Sequence, residues 1–198
     1  MFMKRQRPTH VVLGIGDIDP DRFVAENPHI RALSYDRDLT VTGYHSSVVP
    51  EQHIAVINRF SELGIRQGFN SNSGSKESAA NVARVAVCIS EAIGDEFVVA
   101  TSFEAGGRKP GPKTFLLFKD KTGVPLERTG HIGDQWLKDI KGANDAGLSV
   151  SVLVAPYGEG DDWRVEYLQR PTIEFTARLA FGLPLNTHNF PQVLTVVS

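Results

Sequence analysis

The segment Ala32 to Gly43 reads ALSYDRDLTVTG, with Asp36 and Asp38 one residue apart and Thr40 two further on. Three later segments add polar groups of complementary kinds: FNSNSG brings Ser71 and Asn72, GGRKPGP brings Lys109, and GDQWLKD brings Asp134 and Asp139. Together they suit phosphoryl transfer. A carboxylate can attack phosphorus and split one hard hydrolysis into two easier steps. A second acid two residues on can protonate the leaving oxygen and later take a proton from water. A hydroxyl and an ammonium can hold the phosphoryl oxygens as charge shifts. Magnesium prefers hard oxygen ligands, so a few carboxylates facing the nucleophile suffice to bind it.

These groups act together only if the chain brings them to one place. Short β-rich runs alternate with amphipathic ones from about residue 30 to 156. HIRALSY, IRQGFN, EFVVATS, RTGHIGD and LSVSVLVAP read as strands. PEQHIAVINRFSELG, SKESAANVARVAVCISEAIG and WLKDIKGANDAG read as helices, and PGPKTFLLFKDKTG holds a short helix after a proline-rich entry. The order predicts an α/β fold: a three-layer, Rossmann-like arrangement with a parallel sheet of about five strands. Open parallel sheets bind ligands at the carboxyl ends of their strands. Four successive strand ends supply Asp36 with Asp38 and Thr40, then Ser71 with Asn72, then Lys109 before Pro110, then Asp134 and Asp139.

The series Asp-x-Asp-x-Thr, Ser-Asn, Lys-Pro and Gly-Asp-Gln-x-x-x-Asp resembles the haloacid dehalogenase (HAD) superfamily of phosphohydrolases. The stretch HIGDQWLKDIKGANDAG is similar to its capless family IIIA, which includes a phosphatidylglycerophosphatase-like group. The resemblance covers about Ala32 to Pro156. It implies Asp36 as nucleophile and Asp38 as general acid/base, with the Asp38 backbone carbonyl also a Mg2+ ligand. It implies Thr40, Ser71, Asn72 and Lys109 as phosphate-binding residues, with Ser73 the alternative hydroxyl to Ser71. Asp36, Asp38, Asp134 and Asp139 form the implied magnesium set, Asp139 either supporting Asp134 or holding Lys109. Two positions depart from the family pattern: Leu39 stands where relatives carry Asn, and Tyr35 where they carry an apolar residue.

Each residue also has an ordinary reading. The Asp pair alone would be a solvated turn, Ser71 or Asp134 a helix cap, Lys109 a surface lysine and Asp139 an exposed helix charge. The four motifs in register favour the shared site. An earlier Asp pair, in LGIGDIDPDRF, lacks the following threonine and reads as a turn with Asp19 or Asp21 capping a short helix. The same stretch fails as a dinucleotide fingerprint because Asp19 replaces the third glycine. GGRKPGPKT fails as a P-loop because Pro112 removes a needed backbone N–H. The six histidines, His131 among them, show no metal-ligand pairing.

A chain of 198 residues holds one full core. Net charge −2 does not indicate a nucleic-acid partner. Cys88 is the single cysteine, so the chain can form no internal disulfide, and a reduced cytoplasm is the expected setting. No run suits a transmembrane helix, although a lipid substrate would place the protein peripherally at a membrane. Residues 1–30 read as an amino-terminal extension, 31–156 as the phosphatase core, and 157–198 as a carboxyl-terminal extension with a helix near 172–181. Neither of the first two intervals between motifs has room for a large cap domain. The expected activity is a Mg2+-dependent phosphomonoesterase working through an aspartyl-phosphate. Its substrate is expected to be bulky or exposed: a phosphorylated small molecule, a lipid head group or a macromolecule. A homo-oligomer partner or the carboxyl-terminal tail would serve as a lid. The rival expectation is a catalytically weak HAD-like scaffold.

Overall fold

The computed structural model describes residues 7–157 and the backbone of 194–195. In chain order the elements begin with β1 (His10–Val12), α1 (Pro20–Glu26), β2 (Ala32–Tyr35), α2 (Glu51–Glu62), β3 (Arg66–Ser71), α3 (Lys76–Ile93) and β4 (Phe97–Thr101). They continue with α4 (Ser102–Ala105), α5 (Lys113–Thr122), β5 (Thr129–Gly133), α6 (Gly142–Ala146), β6 (Val150–Val154) and β7 (Leu194–Thr195). One sheet runs β4-β3-β2-β5-β6-β1-β7; its first six strands are parallel, and β7 is antiparallel at the edge.

Parallel strands are covered by helices on both faces, so their residues are buried in continuous runs rather than alternately. In β2, Leu33 and Tyr35 join Ile57 and Phe60 of α2 and Val82 and Ile89 of α3 in the main core. Ala32 points the other way, against Ala100, Phe118 of α5 and Val124. Val150 and Val152 extend the main core, while Leu153 meets Val11 and Ile140 on the opposite face. The result is a helix–sheet–helix sandwich of the expected class.

Three local features are more detailed than the sequence reading. The sheet has a sixth parallel strand: β1, from the region read as an extension, pairs His10–Val12 with Val152–Val154. HVV is too short to signal a strand by itself, and β6 supplies the ladder. The helix expected over WLKDIKGANDAG is present and ends at Gly147, but its first part, Trp136–Lys141, is wound as a wide π-turn that runs directly into α6. The short helix expected after the proline-rich entry is α5, which begins at Lys113 after Pro112, and the Lys109–Pro110 bond is cis. The earlier Asp pair behaves as expected, because Asp19 caps α1 by accepting from the Arg22 N–H at 3.1 Å, with Pro20 behind it. The helix expected near 172–181, like residues 158–193, lies outside the described residues.

The connections place the site. From β2 the chain moves outward through β3 to β4, then crosses back to β5 on the other side of β2. The order therefore reverses between β2 and β5, and the crevice at a reversal is where open α/β sheets hold ligands. Tyr35 pairs with Ile132, so Asp36 and Asp134 leave adjacent strands almost side by side. Among the described residues no domain is inserted on this edge: residues 36–50 link β2 to α2, and residues 72–75 link β3 to α3. No helix among the described residues is long and apolar enough to cross a membrane.

Candidate active site

At the β2–β5 reversal, carboxylate oxygens of Asp36, Asp134 and Asp139 lie within 4.8 Å of one another, all three side chains buried. Lys109 enters from the loop between α4 and α5. Its Nζ donates to Asp36 Oδ1 at 2.9 Å and to Asp139 Oδ1 at 2.5 Å. One ammonium thus bridges two acids contributed by different strands.

Asp139 is aimed inward by the π-turn. Its Oδ2 accepts the Gln135 N–H at 2.9 Å, and its Oδ1 also meets His131 Nε2 at 3.2 Å. A side chain at Gly133 would collide with it, since a Cβ there would fall 2.4 Å from Asp139 Cγ. This close approach explains the glycine of the Gly-Asp-Gln motif. Wide π-turns of this kind often occur at functional sites, where they re-aim one side chain.

Electrostatics separates the three acids. Burial pushes the Asp36 carboxyl up to about 6, with Lys109 opposing and Asp139 and Asp38 reinforcing the rise. Burial and the neighbouring charges of Asp139 and Asp36 raise Asp134 well above the usual carboxylate range. Burial alone would also raise Asp139, but Lys109 and His131 outweigh it and hold this carboxyl below that range. Lys109 is held up at about 12: burial favours the neutral amine, and Asp139 and Asp36 override it.

Asp134 differs in another way. Its Oδ1 accepts only a long 3.4 Å bond from Thr40 Oγ1, and its Oδ2 is buried with no hydrogen-bond partner. An unpartnered buried carboxylate oxygen beside a second raised carboxyl is costly without a counter-ion. Hard oxygen donors in this arrangement fit magnesium. Asp36 and Asp134 would hold the ion, while Asp139 is already occupied by Lys109, Gln135 and His131.

Asp36, Asp38, Ser71, Asn72, Ser73 and Lys109 all line one cleft of about 480 Å³. Asp38 reaches it from outside the acid trio. Its Oδ1 accepts from the Arg37 guanidinium at 2.5 Å and from the His45 N–H at 3.1 Å. Ser71 and Ser73 are linked Oγ to Oγ at 3.0 Å, so the two alternative hydroxyls share one position at the end of β3. Asn72 differs from its expected role at the phosphate. Its Oδ1 accepts the Lys109 N–H at 2.7 Å and its Nδ2 donates to the Lys109 carbonyl at 3.2 Å, clamping that backbone. Thr40, also expected at the phosphate, is buried and turned toward Asp134.

The two departures at the first motif have structural answers. Tyr35 is fully buried, stacks on Phe97 and donates its hydroxyl to Gln67 Oε1 at 2.6 Å; Gln67 in turn donates to the Ile57 carbonyl. The polar tip is therefore satisfied inside the core. Leu39 adopts φ 62°, the left-handed region where Asn is tolerated better than Leu. The local turn thus keeps the conformation an asparagine would favour, although the side chain has changed.

Two contributors escaped the sequence reading. His131 pairs with Asp139 and, through Nδ1, with Ser34 Oγ at 2.8 Å. Burial lowers its pKa. A neutral ring donating from Nε2 to Asp139 and accepting from Ser34 satisfies both contacts. Its inward position on β5 was the available signal, but its partners lie on other turns of the chain. Arg37 is the second, and its place between two acids was the only hint of its pairing.

Known proteins share parts of this sequence and its fold. Residues 107–175 match the family model described as HAD-hydrolase-like. A glyceraldehyde 3-phosphate phosphatase from Methanopyrus kandleri is 44% identical over 50 residues, 25% of this chain; the match spans only about a fifth (22%) of that relative. A Mesorhizobium loti protein described as a HAD-like phosphatase superposes with TM-score 0.50 at 19% identity, over 74% of this chain and 87% of that one. The fold is HAD-like. An uncharacterized Listeria monocytogenes protein shares it, with TM-score 0.51 at 16% identity over 74% of this chain and 99% of its own. The HAD-like strand order accounts for the positions of Asp36, Lys109 and Asp134.

Proposed function

We propose that the protein is a magnesium-dependent phosphomonoesterase of the capless, family IIIA kind, working through an aspartyl-phosphate on Asp36. The observation that carries this reading is the convergence of Asp36, Lys109 and the unpartnered Asp134 Oδ2 at one strand-end crevice. A surface-charge cluster has no reason to bury two raised carboxyls beside a lysine. A lining that includes Asp38 and the Ser71–Ser73 pair adds a second acid and a hydroxyl to the same cleft.

In the first step an Asp36 carboxylate oxygen attacks phosphorus, forming a P–O bond as the bond to the leaving oxygen breaks. Asp38, as general acid, gives a proton to that leaving oxygen. Lys109 and the Ser71 hydroxyl hold the non-bridging oxygens, and Asp139 keeps the ammonium in place. Asp38 then takes a proton from water as the water oxygen attacks phosphorus. The P–O bond to Asp36 breaks, releasing inorganic phosphate and restoring both acids. Magnesium, when bound by Asp36 and Asp134, supplies positive charge that lets an anionic nucleophile approach an anionic phosphate.

Among the described residues, the short links 36–50 and 72–75 put no inserted domain over the cleft, which suits a bulky or exposed phosphomonoester. The test is magnesium-dependent release of phosphate from an aryl phosphate. The wild type should turn over, and Asp36→Asn should lose activity by several orders of magnitude while remaining folded. Equal inactivity of both across a broad phosphomonoester panel would overturn the reading.

A further inference from the structure

The charges around the cleft do not all find partners within the protein. Lys109 faces two carboxylates, and the Arg37 guanidinium faces Asp38. Arg108 and Lys138 line the same cleft and are exposed, and their side chains make no hydrogen bond or ion pair among the described residues. They come from different elements, the loop after α4 and the π-turn.

Arg108 is also seated rather than loose. Its guanidinium lies over Gly74, where a Cβ would fall 2.5 Å from Nη2 and 3.3 Å from both Cζ and Nε. A side chain at Gly74 would make the guanidinium shift from that point, directly beside Ser73 and the amino-terminal cap of α3. An exposed arginine held against a glycine, with its donors unused, suits binding to an acidic ligand group.

We propose that Arg108 and Lys138 form a second anion subsite beside the phosphoryl position, selecting phosphomonoesters whose leaving group carries a further acidic group. The inference rests on the phosphatase reading for the place of the transferred phosphoryl. That dianion is served by Lys109 and the magnesium position, which leaves Arg108 and Lys138 as surplus positive charge. The neighbouring groove over α3 is a weaker place for the second anion. There Arg84 is bonded to Asn81, and Glu77 offsets its charge.

The test compares binding of phenylphosphonate, carboxyphenylphosphonate and phenylene bisphosphonate by calorimetry, with magnesium present. The wild type should bind one or both tailed ligands about tenfold or more tightly than phenylphosphonate. Arg108→Ala should remove most of that preference, and Arg108→Lys should keep much of it. Gly74→Ala should reduce it by shifting the guanidinium without changing the charge. A preference for the carboxylate alone or for the second phosphonate alone would identify which acidic group the subsite takes. Equal affinity of the wild type for all three ligands would overturn the proposal. So would an Arg108→Ala loss that is uniform across them, since Arg108 would then serve the transferred phosphoryl itself. Turnover of the matching phenyl and carboxyphenyl phosphates separates the two readings. A persistent tail preference without any phosphate release would refute the phosphatase reading and leave the anion subsite standing.

Discussion

Lys109 Nζ lies 2.5 Å from Asp139 Oδ1, with both side chains buried at the end of the sheet. The pair does two things. It balances a carboxylate that burial alone would protonate, and it fixes the ammonium where it also meets Asp36. Removing one partner of such a pair leaves an uncompensated buried charge, which typically costs about 3–5 kcal/mol. Lys109→Met should therefore destabilise the protein by that order and abolish activity. Lys109→Met combined with Asp139→Asn should recover much of the stability and none of the activity. Urea denaturation midpoints with parallel phosphate-release assays check both halves.

Asp134 makes the opposite prediction. Its carboxyl is raised, and its Oδ2 has no partner, so in the absence of a cation it is a burden on the fold. Asp134→Asn should raise the melting temperature of the metal-free protein. The same substitution should eliminate the stabilisation that magnesium gives the wild type, which would be about 2.7 kcal/mol at a concentration one hundred times Kd. Thermal unfolding with and without magnesium chloride measures both effects. A wild-type melting temperature indifferent to magnesium would count against the site.

Gly133 should be intolerant of any side chain. Its hypothetical Cβ overlaps Asp139, which cannot retreat without abandoning Lys109, His131 and the Gln135 N–H. Gly133→Ala should reduce phosphate release on the order of 100-fold, the scale of misplacing a catalytic group by about an ångström. Activity near that of the wild type would mean that Asp139 does not position the lysine.

Much of this site was legible because its chemistry sits directly after strands. Asp36, Ser71 and Asp134 each follow a hydrophobic or β-rich run, and a parallel sheet brings such ends to one edge. Lys109 and Asp139 were legible as residue types at motif spacings. Their mutual contact was one of two open alternatives, and it is the one the structure contains. What stayed hidden depends on partners remote in the chain. Asn72 and Thr40 were found as polar residues near the site, but nothing local says that one clamps the Lys109 backbone and the other faces Asp134. His131 needed the π-turn to bring Asp139 back to it, and a periodicity of 3.6 predicts an ordinary helix there. β1 is three residues long and becomes a strand only because β6 offers a ladder.

Tyr35 tests the core behind the nucleophile. Its hydroxyl and Gln67 form a buried polar pair, and Gln67 is held in turn by the Ile57 carbonyl. Tyr35→Phe leaves Gln67 Oε1 unsatisfied and should cost about 1–3 kcal/mol. Adding Gln67→Leu should recover part of that loss by removing the stranded acceptor. Chemical denaturation of the two single variants and the double variant completes the cycle. Additive losses would show that the two side chains do not act as a pair.

The raised Asp36 carboxyl gives the metal-free protein a distinctive acid profile. Its pKa moves from 3.8 in the unfolded chain to about 6 in the folded protein, so the folded state holds this proton more tightly. The associated stability is fully present below about pH 4 and is lost as pH rises through about 6. A shift of roughly two units corresponds to about 3 kcal/mol. Asp139, shifted the other way, contributes stability above its unfolded value that is lost as the solution is acidified through its folded pKa. The two slopes therefore have opposite signs, and between pH 4 and 6 the fall belongs to the raised pair, Asp36 together with Asp134. In the presence of EDTA, Asp36→Asn should flatten the fall in stability over that interval and leave the loss at lower pH intact. An unchanged slope in the variant would assign the titration to another group, and Asp134→Asn is then the next measurement.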